Sequence, residues 1–218
     1  SRVPPDSVAF FGHGTTVATN AVLEGEWADT ALLTTAGFRD ALEIGRQTRP
    51  DIYDFRAEKP EPVVPRDRRH EVPERLDERG SVVRELDEAA VRALGQDLAA
   101  DDVESVAVSL LFAFENPTHE RRVRDLLREE GVEVPISLSS TVLPEIREYE
   151  RTLATALNAG LRPVVDSYVR ELADRLESHG VTAPLRIVGS NGGLMAADAA
   201  RERPVETLLS GPAAGVRG

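Results

Sequence analysis

Five times along this 218-residue chain a short run of aliphatic and β-branched residues gives way, at a glycine or a polar turn, to a stretch with helical spacing. The runs are Ser7–Phe11, Thr30–Thr35, Val103–Phe112, Pro135–Val142 and Leu185–Gly189, followed by helical stretches at Thr16–Glu24, Asp40–Ile44, Asn116–Glu130, Pro144–His179 and Ala196–Glu202. Such alternation predicts a parallel sheet, because neighbouring parallel strands need a crossover long enough to hold a helix. The Val103–Phe112 run is apolar on both faces, as a strand buried between two helical layers must be. Asp87 is placed to cap a further helix to about Ala100, and Gly131 and Gly180 stand where helices should end. In the longest stretch Ile146, Tyr149, Leu153, Leu157, Leu161, Val165, Tyr168, Leu172 and Leu176 share one face, and Pro163 should kink or divide it.

The rhythm breaks between Arg46 and Pro65, where Pro50, Pro60, Pro62 and Pro65 punctuate a polar surface excursion. It is followed by two alternating segments, His70–Leu76 and Ser81–Leu86, joined by Asp77-Glu78-Arg79-Gly80, which predict an antiparallel hairpin with Pro73 keeping its first strand at an edge. Val205–Leu209 reads as one more strand, and Gly211 as the start of a helix.

Composition narrows the function classes. With 41% hydrophobic and 29% charged residues the chain is globular. A net charge of −12, with basic residues interleaved among acids, leaves no patch to neutralise a run of phosphates, so no nucleic-acid partner is expected. The absence of cysteine removes disulfides, thiolate nucleophiles and zinc ribbons together. No apolar run approaches about 18 residues, and Ser1-Arg2-Val3-Pro4-Pro5-Asp6 lacks the pattern of a signal peptide, so no membrane partner and a cytoplasmic location are expected. Residue 1 is not Met, which suggests a processed chain or a fragment.

Four segments carry groups suited to chemistry. Gly12-His13-Gly14-Thr15-Thr16-Val17-Ala18-Thr19-Asn20 is a glycine-flanked turn between a strand and a helix N-terminus, where free amides and the helix dipole attract an anion or an oxyanion. A threonine-capped helix beside a packed histidine would read the same way. Ser190-Asn191-Gly192-Gly193-Leu194 follows a strand's carboxyl end, where open parallel sheets bind ligands, although a plain β-turn fits equally. Leu209-Ser210-Gly211-Pro212-Ala213-Ala214-Gly215 suits a closely packed helix start. The loop from Gly45 to Phe55 gathers Arg46, Arg49, Asp51 and Asp54, as a ligand clamp or as a solvated lid. The run Glu145–Arg151 has the spacing of charge pairs along a helix, which makes a catalytic dyad there the weaker reading. His13, His70, His119 and His179 are far apart with no metal-ligand spacing, and the last three are placed at the surface; no metal site is expected.

Taken in order, HGTTVATNAVLE, TTAGFRDALEIGRQTRPDIYDF, EIREYERTLATALNAGLRPVVDSYV, SNGGLM and RPVETLLSGPAAG resemble the hydantoinase A/5-oxoprolinase family over nearly the whole chain, least between about Glu58 and Ala100. The resemblance implies an α/β fold of the actin-like, ribonuclease H-like kind, a mixed sheet with flanking helices. That fold would be incomplete here, because the family's two glycine-rich phosphate turns, DxGGTFTD and its counterpart after SGPAAG, do not occur. On this reading residues 1–142 belong to the family's N-terminal domain, with an excursion at about 58–100, and residues 143–218 begin its core domain.

The implied activity is ATP-dependent opening of a cyclic amide such as 5-oxoproline or a hydantoin, with ATP and Mg acting in the full-length parent and the isolated chain inactive. The implied partners are the small cyclic amide and a hydantoinase B-like subunit or domain. His13, Thr15 and Thr16 become the candidate catalytic contacts, and Asn20, Arg46, Arg49, Asp51, Asn191, Gly192 and Gly193 the candidate substrate contacts. Ser210 and Gly211 would lie near the nucleotide. The alternatives are a phosphotransferase or acetone-carboxylase-type subunit of the same fold, or a structural lobe that binds a partner subunit.

Overall fold

The computed structural model describes residues 8–47 and 61–208. In chain order the elements are β1 (Phe11–His13), α1 (Val17–Glu24), β2 (Thr30–Thr35), α2 (Ala41–Ile44), β3 (Arg69–Val72), β4 (Arg75–Leu76), β5 (Val82–Arg84), α3 (Glu88–Ala100) and β6 (Ser105–Ser109). Then come α4 (Thr118–Glu129), β7 (Ile136–Leu138), α5 (Ser139–Val142), α6 (Glu148–Ser178), β8 (Leu185–Val188), β9 (Leu194–Ala196) and α7 (Ala197–Glu202). They divide into two compact units, one of residues Asp29–Ala159 and one built from Ser1–Ala28 together with Gly160–Gly218.

The Asp29–Ala159 unit carries the expected parallel sheet, with strand order β3-β2-β6-β7. Leu32 pairs with Arg69 and Ala107, and Val106 with Ile136, all in parallel register. Side chains alternate between the faces of a strand, so Ala31, Leu33, Val106 and Val108 fall in one core with Val91 and Leu98 of α3 and Val123, Leu126 and Leu127 of α4. Leu32 and Ala107 fall in the other, with Leu42, Val64 and two residues of α6, Ala156 and Ala159. Helices therefore cover both faces, which is why these strands are apolar throughout.

Three local expectations fail for identifiable reasons. The His70–Leu76 segment is not one hairpin strand: Arg69–Val72 joins the parallel sheet beside β2, while Arg75–Leu76 pairs antiparallel with Val82–Arg84. Pro73, which has no N–H for a ladder, sits at the break. The strand expected to reach Val142 stops at Leu138, and Ser139–Val142 turns helical, with Ser139 Oγ and the Ser140 N–H both donating to the Glu120 carboxylate. The Val205–Leu209 strand is instead a 3-10 turn at Pro204–Thr207, where the Thr207 hydroxyl donates to the Pro204 carbonyl.

In the second unit β1 and β8 are parallel, with Phe11 opposite Leu185 and His13 opposite Ile187, and β9 returns antiparallel to β8. Ala18 and Ala21 of α1, Leu161, Val165 and Val169 of α6, Ile187 and Ala200 form its core. Pro163 does not divide α6, which runs unbroken for 31 residues. Close to the proline, the Gly160 carbonyl accepts from Ala28 N–H at 3.0 Å, a partner from outside the helix.

Candidate functional site

Because β1 and β8 are parallel, their carboxyl ends and the turns that leave them share one edge, the side on which open α/β sheets bind ligands. His13 closes β1, and its Nε2 lies 2.6 Å from the hydroxyl of Tyr168 on α6, with ring centroids 5.9 Å apart. Partial burial pushes the His13 imidazole below its ordinary value of 6.5, so the ring is uncharged at neutral pH. Thr15 is buried, and its Oγ1 accepts from Val17 N–H at 3.2 Å, capping the first turn of α1. Thr16 is exposed and caps nothing with its hydroxyl, and the first turn of α1 contains no acid to offset the helix dipole. Asn20 is exposed one turn further along.

The second turn, after β8, is closed by its own backbone: Gly189 N–H donates to the Gly193 carbonyl at 2.8 Å and Gly192 N–H to the Gly189 carbonyl at 2.9 Å. Asn191 Oδ1 accepts from Gly193 N–H at 2.7 Å. Gly192 has φ +74°, which favours glycine, and a Cβ on Gly193 would sit 2.9 Å from Asn191 Oδ1 and displace that side chain. Ser190 N–H donates to the Glu206 carbonyl at 2.7 Å. With Leu194, Met195 and Glu206 this turn lines a depression of about 170 Å³.

In the Asp29–Ala159 unit, polar side chains cluster at the carboxyl ends of the strands but are spent on one another. The Thr35 hydroxyl donates to Glu74 Oε1 and accepts from Leu111 N–H at 2.9 Å, while His119 Nδ1 lies 2.7 Å from Glu74 Oε2. Glu120 accepts from Leu110 N–H, the Ser139 hydroxyl and Ser140 N–H at 3.0, 2.6 and 2.9 Å. Burial nevertheless raises its carboxyl above the ordinary 4.5. Arg151, 1% exposed, donates to the carbonyls of Leu110 and Glu145 and lies over the Phe114 ring. These groups brace turns against helices. His119 is therefore buried and His70 half-buried, against the surface placement expected for both, while His179 is exposed as expected. The Glu145–Arg151 run does not pair along the helix either, because Arg151 turns inward and Glu150 meets Arg46 at 2.8 Å.

Residues 1–131 match the hydantoinase/oxoprolinase N-terminal region and residues 151–218 the hydantoinase/oxoprolinase domain. The chain belongs to the hydantoinase/oxoprolinase family. It is 37% identical to the caprolactamase alpha subunit of Pseudomonas jessenii over 92% of its own length and 29% of that protein. The crystal structure of that ATP-dependent caprolactamase superposes with a TM-score of 0.87, at 36% identity, over 97% of this chain and 31% of that one. It is 34% identical to 5-oxoprolinase 1 of Arabidopsis thaliana over 100% of its length and 18% of that protein. A nucleotide-free acetone carboxylase structure matches with a TM-score of 0.81 at 27% identity, over 97% of this chain and 32% of that one. The chain thus spans a third or less of each of these relatives.

In this hydantoinase/oxoprolinase chain, His13, Thr15, Thr16, Asn20, Asn191, Gly192 and Gly193 all fall in one compact unit, in the two turns at the shared edge and on the helix that follows the first. Arg46 lies in the other unit, ion-paired with Glu150, whose carboxyl it holds below the ordinary range. Arg49, Asp51, Ser210 and Gly211 lie outside the described residues. No group of three His, Asp or Glu among the described residues could hold a metal ion, and none of the described helices is long and apolar enough to cross a membrane. Tyr168 was not among the sequence candidates, because its spacing on α6 marks it only as part of an inward face.

Proposed function

We propose that this chain is part of a subunit of an ATP-dependent cyclic amide hydrolase, and that the edge shared by β1 and β8 is part of the wall that receives the ring. The observation that carries the reading is the meeting of two glycine turns at that edge, one bearing an uncharged histidine and a helix N-terminus. The likeness to caprolactamase and 5-oxoprolinase supports the substrate class.

An amide carbon resists water because its nitrogen lone pair is shared with the carbonyl. Transfer of the γ-phosphoryl group of ATP to the amide oxygen removes that resistance, so that water opens the ring and ADP and phosphate are released. In keeping with the family resemblance, the nucleotide and its metal are held mainly by other parts of the enzyme, with Ser210 and Gly211 near the nucleotide. This chain's part is to hold the ring. His13, the Thr16 hydroxyl and the amides opening α1 donate to the negatively charged oxygens of the phosphoryl group as it reaches the amide oxygen, and Thr15 shapes the turn. Asn20, Asn191 and the backbone of Gly192 and Gly193 meet the ring's amide. The enzyme acts in the cytoplasm together with a hydantoinase B-like subunit or domain.

The test is phosphate release by the full-length enzyme with its partner subunit. Release that depends on ε-caprolactam, hydantoin or 5-oxoproline and matches ring opening one to one is expected. A second reading, activation of a ketone oxygen, draws on the acetone carboxylase match. Phosphate release that depends on acetone and bicarbonate, and on no cyclic amide, would replace the first reading with it.

A further inference from the structure

We infer that Tyr168 is a positioning residue for His13: its hydroxyl donates to His13 Nε2, fixes the ring proton on Nδ1, and so makes the neutral imidazole a hydrogen-bond donor to the oxygens of the phosphoryl group that reaches the substrate's amide oxygen. The inference rests on the cyclic amide reading for the identity of those oxygens, but not for the tautomer.

The chemistry of the two groups sets the direction of the bond across the 2.6 Å between the Tyr168 hydroxyl and His13 Nε2. A phenol O–H is a good donor, whereas an imidazole nitrogen is a far better acceptor than a phenol oxygen. Once Nε2 accepts, a neutral ring must carry its proton on Nδ1. Among the described residues Nδ1 makes no hydrogen bond of its own, which leaves that donor for a ligand. Partial burial keeps the ring neutral.

The support is rigid. Tyr168 lies between Val165 and Val169 in sequence on α6, and these are 1% and 2% exposed in the core that also holds Ala18 and Ile187. A hydroxyl on such a helix fixes a ring nitrogen more closely than a loop side chain would. A neutral donor also suits the oxygens of a transferring phosphoryl group, because it stabilises their negative charge without giving up a proton.

The experiment reads the tautomer and the rate separately. In the full-length enzyme with 15N-labelled histidine, the His13 ring is expected as the Nδ1–H form at neutral pH, and Tyr168→Phe, which keeps the ring and loses the hydroxyl, should move it toward the Nε2–H form. In the full-length enzyme Tyr168→Phe should lower kcat for ring opening at least fivefold and change KM less than twofold, with an unchanged melting temperature. An Nε2–H ring in the unsubstituted protein overturns the inference, as does an active Tyr168→Phe enzyme with undiminished kcat. Failure of the unsubstituted enzyme to open any cyclic amide counts against the proposed function alone, because the nitrogen spectrum still decides which atom carries the proton.

Discussion

Glu120 shows at residue scale how much of this molecule's polar chemistry serves its fold. Its carboxylate, fully buried, is the common acceptor for the turn after β6 and the start of α5. Three donors favour the ionised form, yet burial outweighs them and raises the carboxyl above 4.5. The folded state therefore holds this proton more tightly than the unfolded chain, so the stability linked to it is complete at acid pH and is lost as pH rises above about 4.5 through the folded value. Urea midpoints for the unsubstituted protein and Glu120→Gln should show it: the unsubstituted protein loses ground to the variant as pH rises from 4 to 7. A difference that stays flat or grows in the opposite sense would mean that the donors, not burial, control the group. No sequence pattern marked Glu120 or Glu74, since an acid at the start of a helix, or in the link between two short strands, looks like a solvated residue until the neighbouring turns close over it.

At the scale of elements, the strands and helices whose periodicity agreed with their burial were legible, such as β2, β6, α3 and α4. Where sequence and structure part, a local partner has overridden the period. Pro73 splits one alternating segment between two sheets, and Glu120 bends the end of β7 into α5. The Ser190–Gly193 turn was legible as a turn, but not as one that closes on itself through Asn191. Its geometry leaves little room for other residues. Gly192→Ala, at φ +74°, should cost about 1–2 kcal/mol of unfolding free energy by urea titration and lower kcat/KM in the full-length enzyme. A fully stable and fully active variant would show that this turn neither needs its left-handed residue nor faces the reaction.

For the whole molecule, the division into units was not legible, because one of them is assembled from both ends of the chain. Periodicity reports which face of an element is apolar and carries no record of which distant segment covers it. The family was legible because its motifs follow one another along nearly the whole chain, and they led to the two turns that the parallel pairing of β1 and β8 brings to one edge. That this edge faces the reacting amide is the central claim. The most direct measurement is kcat/KM for ATP-dependent ring opening by the full-length enzyme carrying His13→Asn, alongside its melting temperature. A reaction-facing imidazole requires at least a tenfold loss, about 1.4 kcal/mol of transition-state stabilisation, with the melting temperature nearly unchanged. A variant that melts several degrees lower but turns over normally per folded molecule would contradict the claim and make the His13–Tyr168 pair a packing contact.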